Sequence, residues 1–213
     1  MMSLISKLIL LTEKKFTEND FEFFKELEKF INQYDLIELK GKVKEKTKPF
    51  PTIGHFKQIV APINLEATEL LTEAQIKDFF DTKNFVGGVS NDIFSWLPKE
   101  VKNSPVLEMA NYEFTENITE QSIIDDAKAG GVYQEVDLAH IKQVCERHFS
   151  GEKILKEDGS ANLFWVRHKN GDLCKVSVWL YSDGWYVSVY EFDSDYEWNA
   201  GRRSLFNNKV VKN

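Results

Sequence analysis

The chain is poor in cysteine, has little proline, and carries no sequence signature of a catalytic centre. Cys145 and Cys174 are its only cysteines among 213 residues. Two thiols make no disulfide framework, so reduced cysteines in a cytoplasmic protein are expected. No apolar run approaches the roughly 20 residues of a membrane span, and no membrane partner is expected. The run Leu8-Ile9-Leu10-Leu11 is followed at once by Glu13, Lys14 and Lys15, without a small-residue cleavage pattern. It reads as a short buried helix or strand rather than a signal peptide.

An excess of positive charge is also missing: 27 basic residues face 34 acidic ones, a net charge of -7. Divided after Gly131, the first part has 16 basic and 22 acidic residues and the second 11 and 12. Neither part is basic, which disfavours nucleic acid as a partner. There is no Gly-x-Ser-x-Gly elbow, no His-Glu-x-x-His and no phosphate loop; Gly87-Gly88 lacks the following Lys-Ser or Lys-Thr and a clean strand before it. No cofactor and no metal are therefore expected.

What the chain does have is concentrated between Lys153 and Phe192. Asp158-Gly159, Asn170-Gly171 and Asp183-Gly184 punctuate runs rich in Val, Leu, Trp, Tyr and Phe. Such dipeptides supply the backbone dihedrals of tight hairpin turns, so three of them predict a four-stranded antiparallel meander.

Upstream, helical signals dominate. Phe21, Phe24, Leu27, Ile31 and Tyr34 share one face of a helix over Thr17 to Asn32, with Thr17 as its cap. Lys40, Lys42, Lys44, Lys46 and Lys48 alternate strictly, as in a lysine ribbon or a guarded edge strand. Thr72 caps a predicted helix through Phe80, with Ile76, Phe79 and Phe80 inward. Asp92 to Leu97 suits one helical turn, Pro105 to Phe114 a strand, and Thr119 opens a helix ended by Gly130-Gly131. Val136 to Phe149 reads as a helix closed at Gly151. The expected fold is α+β: a helix-rich N-terminal region over 1–131, then a helix and the four-stranded antiparallel meander over 132–213.

In the meander, Cys174, Val176, Val178 and Leu180 alternate with Lys175, Ser177, Trp179 and Tyr181, and Val187 and Val189 with Tyr186, Ser188, Tyr190 and Phe192. If the aliphatic face packs on a helix, the opposite face presents Trp179, Tyr181, Tyr186 and Tyr190 around Ser177 and Ser188. Large rigid rings around two small residues suit a recognition groove. The opposing expectation is that the tail, with Tyr196, Trp198 and Phe206, covers this face as a second core layer. Arg202 and Arg203 can clamp a carboxylate or phosphate.

The leading functional expectation is a non-enzymatic cytoplasmic binding or regulatory protein that holds a protein segment or small ligand on this face. Two alternatives stand beside it. One is an enzyme using Cys145 with His148, or the carboxylates Asp193, Asp195 and Glu197. The other is single-stranded nucleic-acid binding through Lys40 to Lys48 and the sheet aromatics. His140, Cys145 and His148 do not suggest one metal site, because His140 and His148 lie about 12 Å apart along a helix.

Overall fold

The computed structural model describes residues 52–81, 85–86 and 90–207. The predicted helix over 17–32, the lysine ribbon over 40–48 and the apolar run over 8–11 lie outside the described residues. In chain order the described elements begin with strands β1 (Thr52–Ile53), β2 (Phe56–Gln58), β3 (Ile63–Leu65) and β4 (Thr68–Leu71), then helices α1 (Glu73–Phe80) and α2 (Ser90–Trp96). Next come β5 (Val101–Ser104), β6 (Leu107–Phe114), β7 (Ile118–Thr119), and helices α3 (Glu120–Ala129) and α4 (Leu138–Arg147). One π-helical turn over His148–Glu152 precedes β8 (Asn162–Arg167), β9 (Leu173–Tyr181), β10 (Gly184–Glu191), β11 (Glu197–Trp198) and β12 (Arg203–Asn207). Among the described residues no helix is long and apolar enough to cross a membrane.

The helices start where side chains can satisfy their free N–H groups. Thr72 and Gln75 form a reciprocal capping box at α1. Thr119 accepts from the Ser122 N–H at α3, and Asp137 accepts from the Ala139 and His140 N–H groups at α4. Ile76, Phe79 and Phe80 are buried as their spacing predicts.

The expected fold class is overturned. The described residues are 39% strand and 26% helix, built on a mixed eight-stranded sheet rather than a helical part followed by a four-stranded meander. Its strand order is β1-β2-β6-β12-β8-β9-β10, with β3 also on β6. Two of the three predicted turns do make hairpins: β8 pairs antiparallel with β9, and β9 with β10. Asp158-Gly159 does not. It lies in the connection before β8, where the Asp158 carboxylate accepts from the Ser160 N–H (3.0 Å), and the buried Ile154 and Leu155 precede it outside any strand. The edge of β8 left free is taken by the C-terminal strand β12, in parallel, and β12 in turn pairs with β6. The sheet thus draws strands from both sides of Gly131.

Both faces of the sheet are packed. On the first, α1, α2 and α4 bring Ile76, Phe80, Ile93, Ile141 and Val144 against Phe164, Val166, Val176, Val178, Val187 and Val189. On the second, Ile123, Ile124 and Ala127 of α3 meet Tyr112, Leu163, Trp165 and Phe206. Burying each such side chain contributes about 1.5–3 kcal/mol, so these two layers carry most of the stability. Ser177, Trp179, Tyr186 and Tyr190 belong to neither layer.

The β9–β10 hairpin positions those residues, and Gly184 is its tightest point. Its φ is +142°, and a Cβ there would lie 2.7 Å from Val86 Cγ2. Gly184→Ala is expected to lower stability by more than about 1 kcal/mol, read from the urea midpoint. An unchanged midpoint would show that the hairpin tolerates a side chain at this point.

Candidate functional site: a groove along β9

Alternation along β9 decides which side chains form the site. Cys174, Val176 and Val178 face the three-helix layer, so Lys175, Ser177, Trp179 and Tyr181 face the other way. Across the hairpin, Tyr190 pairs with Lys175, Ser188 with Ser177, and Tyr186 with Trp179. Large side chains therefore flank a small pair. The result is a groove of about 830 Å³ with Lys175, Ser177, Trp179 and Tyr181 along its floor. Gly159, Ala161 and Arg202 border it, and residues 190–194 with Tyr196 and Trp198 form its end.

Five of the eight residues predicted from sequence line this groove: Ser177, Trp179, Tyr181, Tyr190 and Arg202. Tyr186 stands behind Trp179, stacked on it at 5.8 Å between ring centres and 13° between planes. Its hydroxyl donates to the Asp183 carboxylate (2.6 Å), which fixes the ring and raises the pKa of the phenol. Ser188 lies across from Ser177 but does not line the groove. Arg203 is also outside the lining and bonds Glu113 (3.2 Å). The indole N–H of Trp179 is buried without a partner. Tyr181, Tyr190 and Tyr196 are 56%, 45% and 48% exposed, so the tail walls the groove without filling it.

That wall depends on two residues the sequence reading did not select. Strand β11 pairs with β7, placing Trp198 opposite Ile118, immediately before α3. Glu120, the first residue of α3, is fully buried and forms a salt bridge with Lys175 of β9. The Trp198 indole N–H donates to one Glu120 oxygen (2.9 Å) and the Asp193 backbone N–H to the other (2.9 Å). Lys175 also donates to the Glu191 carbonyl (2.8 Å), and its ammonium lies 5.3–5.9 Å from the rings of Tyr190, Tyr196 and Trp198. The one available signal was Lys175 itself, a cation on a strand whose neighbours suited burial.

The residues expected to carry chemistry are placed differently. Cys145 and Cys174 are free and buried. Burial pushes the Cys145 thiol far above its ordinary range, against thiolate formation. No hydrogen bond joins Cys145 to His148. The His148 Nδ1 accepts from the Leu155 N–H (3.1 Å), its Nε2 faces Glu157 (3.2 Å), and burial lowers its pKa. Asp193, Asp195 and Glu197 are exposed: the Asp195 N–H donates to Asp193, and the Asn117 amide, distant in sequence, donates to Glu197. Among the described residues no group of three or more His, Cys, Asp or Glu is arranged to hold a metal.

His140 belongs to a network that sequence alone did not reveal. Its Nδ1 lies 3.0 Å from an Asp137 oxygen, and its Nε2 lies 2.9 Å from the Pro105 carbonyl and 3.1 Å from Ser104 Oγ. These distances resemble a Ser-His-Asp triad, but the protonation does not suit one. Acceptors at both ring nitrogens favour the protonated ring, a form poorly suited to taking a proton from Ser104. The Asp137 N–H approaches Nδ1 only at 3.3 Å, the weaker contact. Burial opposes the cation, but the bonds to Asp137 and Pro105 and the Asp137 charge outweigh it and raise the His140 pKa.

No protein-family description, curated protein or solved structure matches this chain.

Two tests follow from these networks. Lys175→Met leaves the Glu120 carboxylate buried without its cation and is expected to cost about 3–5 kcal/mol in chemical denaturation. The double change Lys175→Met with Glu120→Gln is expected to recover part of that loss; no recovery would show that the two charges are not coupled. The second test concerns pH. His140 has a raised folded-state pKa, so its contribution is complete below the unfolded value of about 6.5 and is lost as pH rises through the folded value. The stability difference between wild type and His140→Gln should shrink as pH increases over that window. A constant difference would mean that His140 is neutral when buried.

Proposed function

We propose that the chain is a non-enzymatic cytoplasmic binding or regulatory protein that holds a protein segment or small ligand in the β9 groove. The observation that carries this reading is the groove itself: about 830 Å³, floored and rimmed by aromatic side chains of which Tyr181, Tyr190 and Tyr196 are exposed. Its volume is within the range of about 300–1,000 Å³ typical of ligand sites. Tyr and Trp bring large rigid contact area with little rotamer freedom to lose, together with a polar atom each. The cytoplasmic compartment rests on the two unpaired thiols.

Acrylamide quenching of tryptophan fluorescence, compared between wild type and Trp179→Phe, tests whether the groove is open. The expected result is an accessible component in the wild type that the substitution removes. A shielded Trp179 would take away the main support for this function.

A further inference from the structure

The pairing of charges around the groove points to the chemistry of its occupant, an inference that rests on the groove being a binding site. Lys175, Lys156 and Arg203 all have carboxylate partners. Lys175 bonds Glu120. Lys156 lies 3.4 Å from Glu113 and 3.2 Å from Asp158, and Arg203 lies 3.2 Å from the same Glu113 oxygen. Arg202, which lines the groove, forms no salt bridge among the described residues; its guanidinium lies over the Trp198 ring, 5.3 Å from the ring centre. Contact with the indole face holds the guanidinium in place, and its N–H donors match the paired oxygens of a carboxylate or phosphate.

Register places this cation beside the aromatic floor. Arg203 pairs with Asn162 and Asn162 with Val178, so in the adjacent row Arg202, Ala161 and Trp179 stand together on the groove face. Tyr186 is stacked against Trp179 from the β10 side, which turns the other indole face toward β8 and Arg202. Ala161 between them is small and buried, so an occupant rests above it, against Trp179 and the exposed Tyr181. The exposed Asp193 follows β10 at the Lys175 end of the floor, which is about 14 Å from Trp179 along the strand. That exceeds the screening length of about 10 Å at 0.1 M salt, so Asp193 opposes an anion at Arg202 only weakly.

We propose that the groove takes a small molecule that joins a flat ring to an oxyanion. Its ring lies against Trp179 and Tyr181, and its carboxylate or phosphate is bound by Arg202.

The test is titration of the full-length protein with four probes followed by saturation-transfer NMR: 1-naphthoate and its neutral amide, and 1-naphthyl phosphate and neutral 1-naphthol. At least one anion is expected to bind about tenfold more tightly than its neutral counterpart, the size of a hydrogen-bonded contact with a charged group. Which pair shows the preference distinguishes carboxylate from phosphate. Arg202→Gln is expected to remove the preference, and Tyr181→Ala to weaken both members of the pair; both variants are first shown to unfold in urea like wild type. Neutral and anionic probes that bind equally, without regard to Arg202→Gln, would overturn the oxyanion inference and leave the groove reading standing. Absence of binding by all four probes would also overturn it. The groove reading is judged separately by the quenching of Trp179: an accessible indole keeps it for other occupants, and a shielded one removes both.

Discussion

The buried ion pair between Glu120 and Lys175 is the constraint on which the site depends. Removing two charges from water costs several kcal/mol per ion, and the loss is offset only when every remaining donor and acceptor finds a partner. Here they do. Glu120 accepts from Lys175, the Trp198 indole and the Asp193 backbone, and Lys175 donates in addition to the Glu191 carbonyl. Those partners belong to α3, to β9 and to the segment after β10. The pair therefore fixes where that segment goes: back over the sheet to join β7 through β11, with Tyr196 and Trp198 standing as a wall. A loose tail would leave Trp179 on an open sheet surface; a tail packed flat on Ser177 would close the groove.

Geometry explains why a groove is left at this position. Strands lie about 4.8 Å apart, whereas a helix with its side chains is about 10–12 Å across, so one helix covers two or three strands. The first face has α1, α2 and α4 to cover it. The second has α3, which settles over β6, β12 and β8 through Ile123, Ile124 and Ala127. The β9–β10 end is beyond its reach. That end carries aromatic side chains with polar atoms, and Ser177 and Lys175 stand in place of the Val residues found on the opposite face; both are buried beneath the rings, and the exposure lies in Tyr181 and Tyr190.

Local rules were legible in the sequence and long-range pairing was not. Thr72, Thr119 and the two turns at Asn170-Gly171 and Asp183-Gly184 act over a few residues, and each is where the spacing placed it. The strict alternation in β9 likewise put Ser177, Trp179 and Tyr181 on the groove side. The parallel pairing of β12 with β8 joins segments about 40 residues apart without a periodic signal, and it turned a supposed meander into part of a larger sheet. Asp158-Gly159 has the same local chemistry as the hairpin turns; it failed as a hairpin because no strand precedes it to pair with β8. Glu120 was invisible for a related reason. At a helix start it reads as a dipole-favouring surface acid, and only the fold-back of β11 buries it against Lys175.

The arrangement also separates reactive groups from the accessible groove. Cys145 and Cys174 are buried in the layer between the sheet and its three helices, and His140 is held there by Asp137 and Pro105. The groove lies on the opposite face of the same sheet, with β9 as its floor. Valines 176 and 178 project from that strand into the helical layer, and Ser177 and Trp179 project into the groove. A substrate in the groove would thus be separated from both thiols by the backbone of β9. What it would meet is an array of rings, a neutralised lysine, the Asp193 carboxylate and an arginine held against an aromatic face. Such groups orient and discriminate an occupant through shape and charge, and this segregation is the physical reason for reading the groove as a place of recognition.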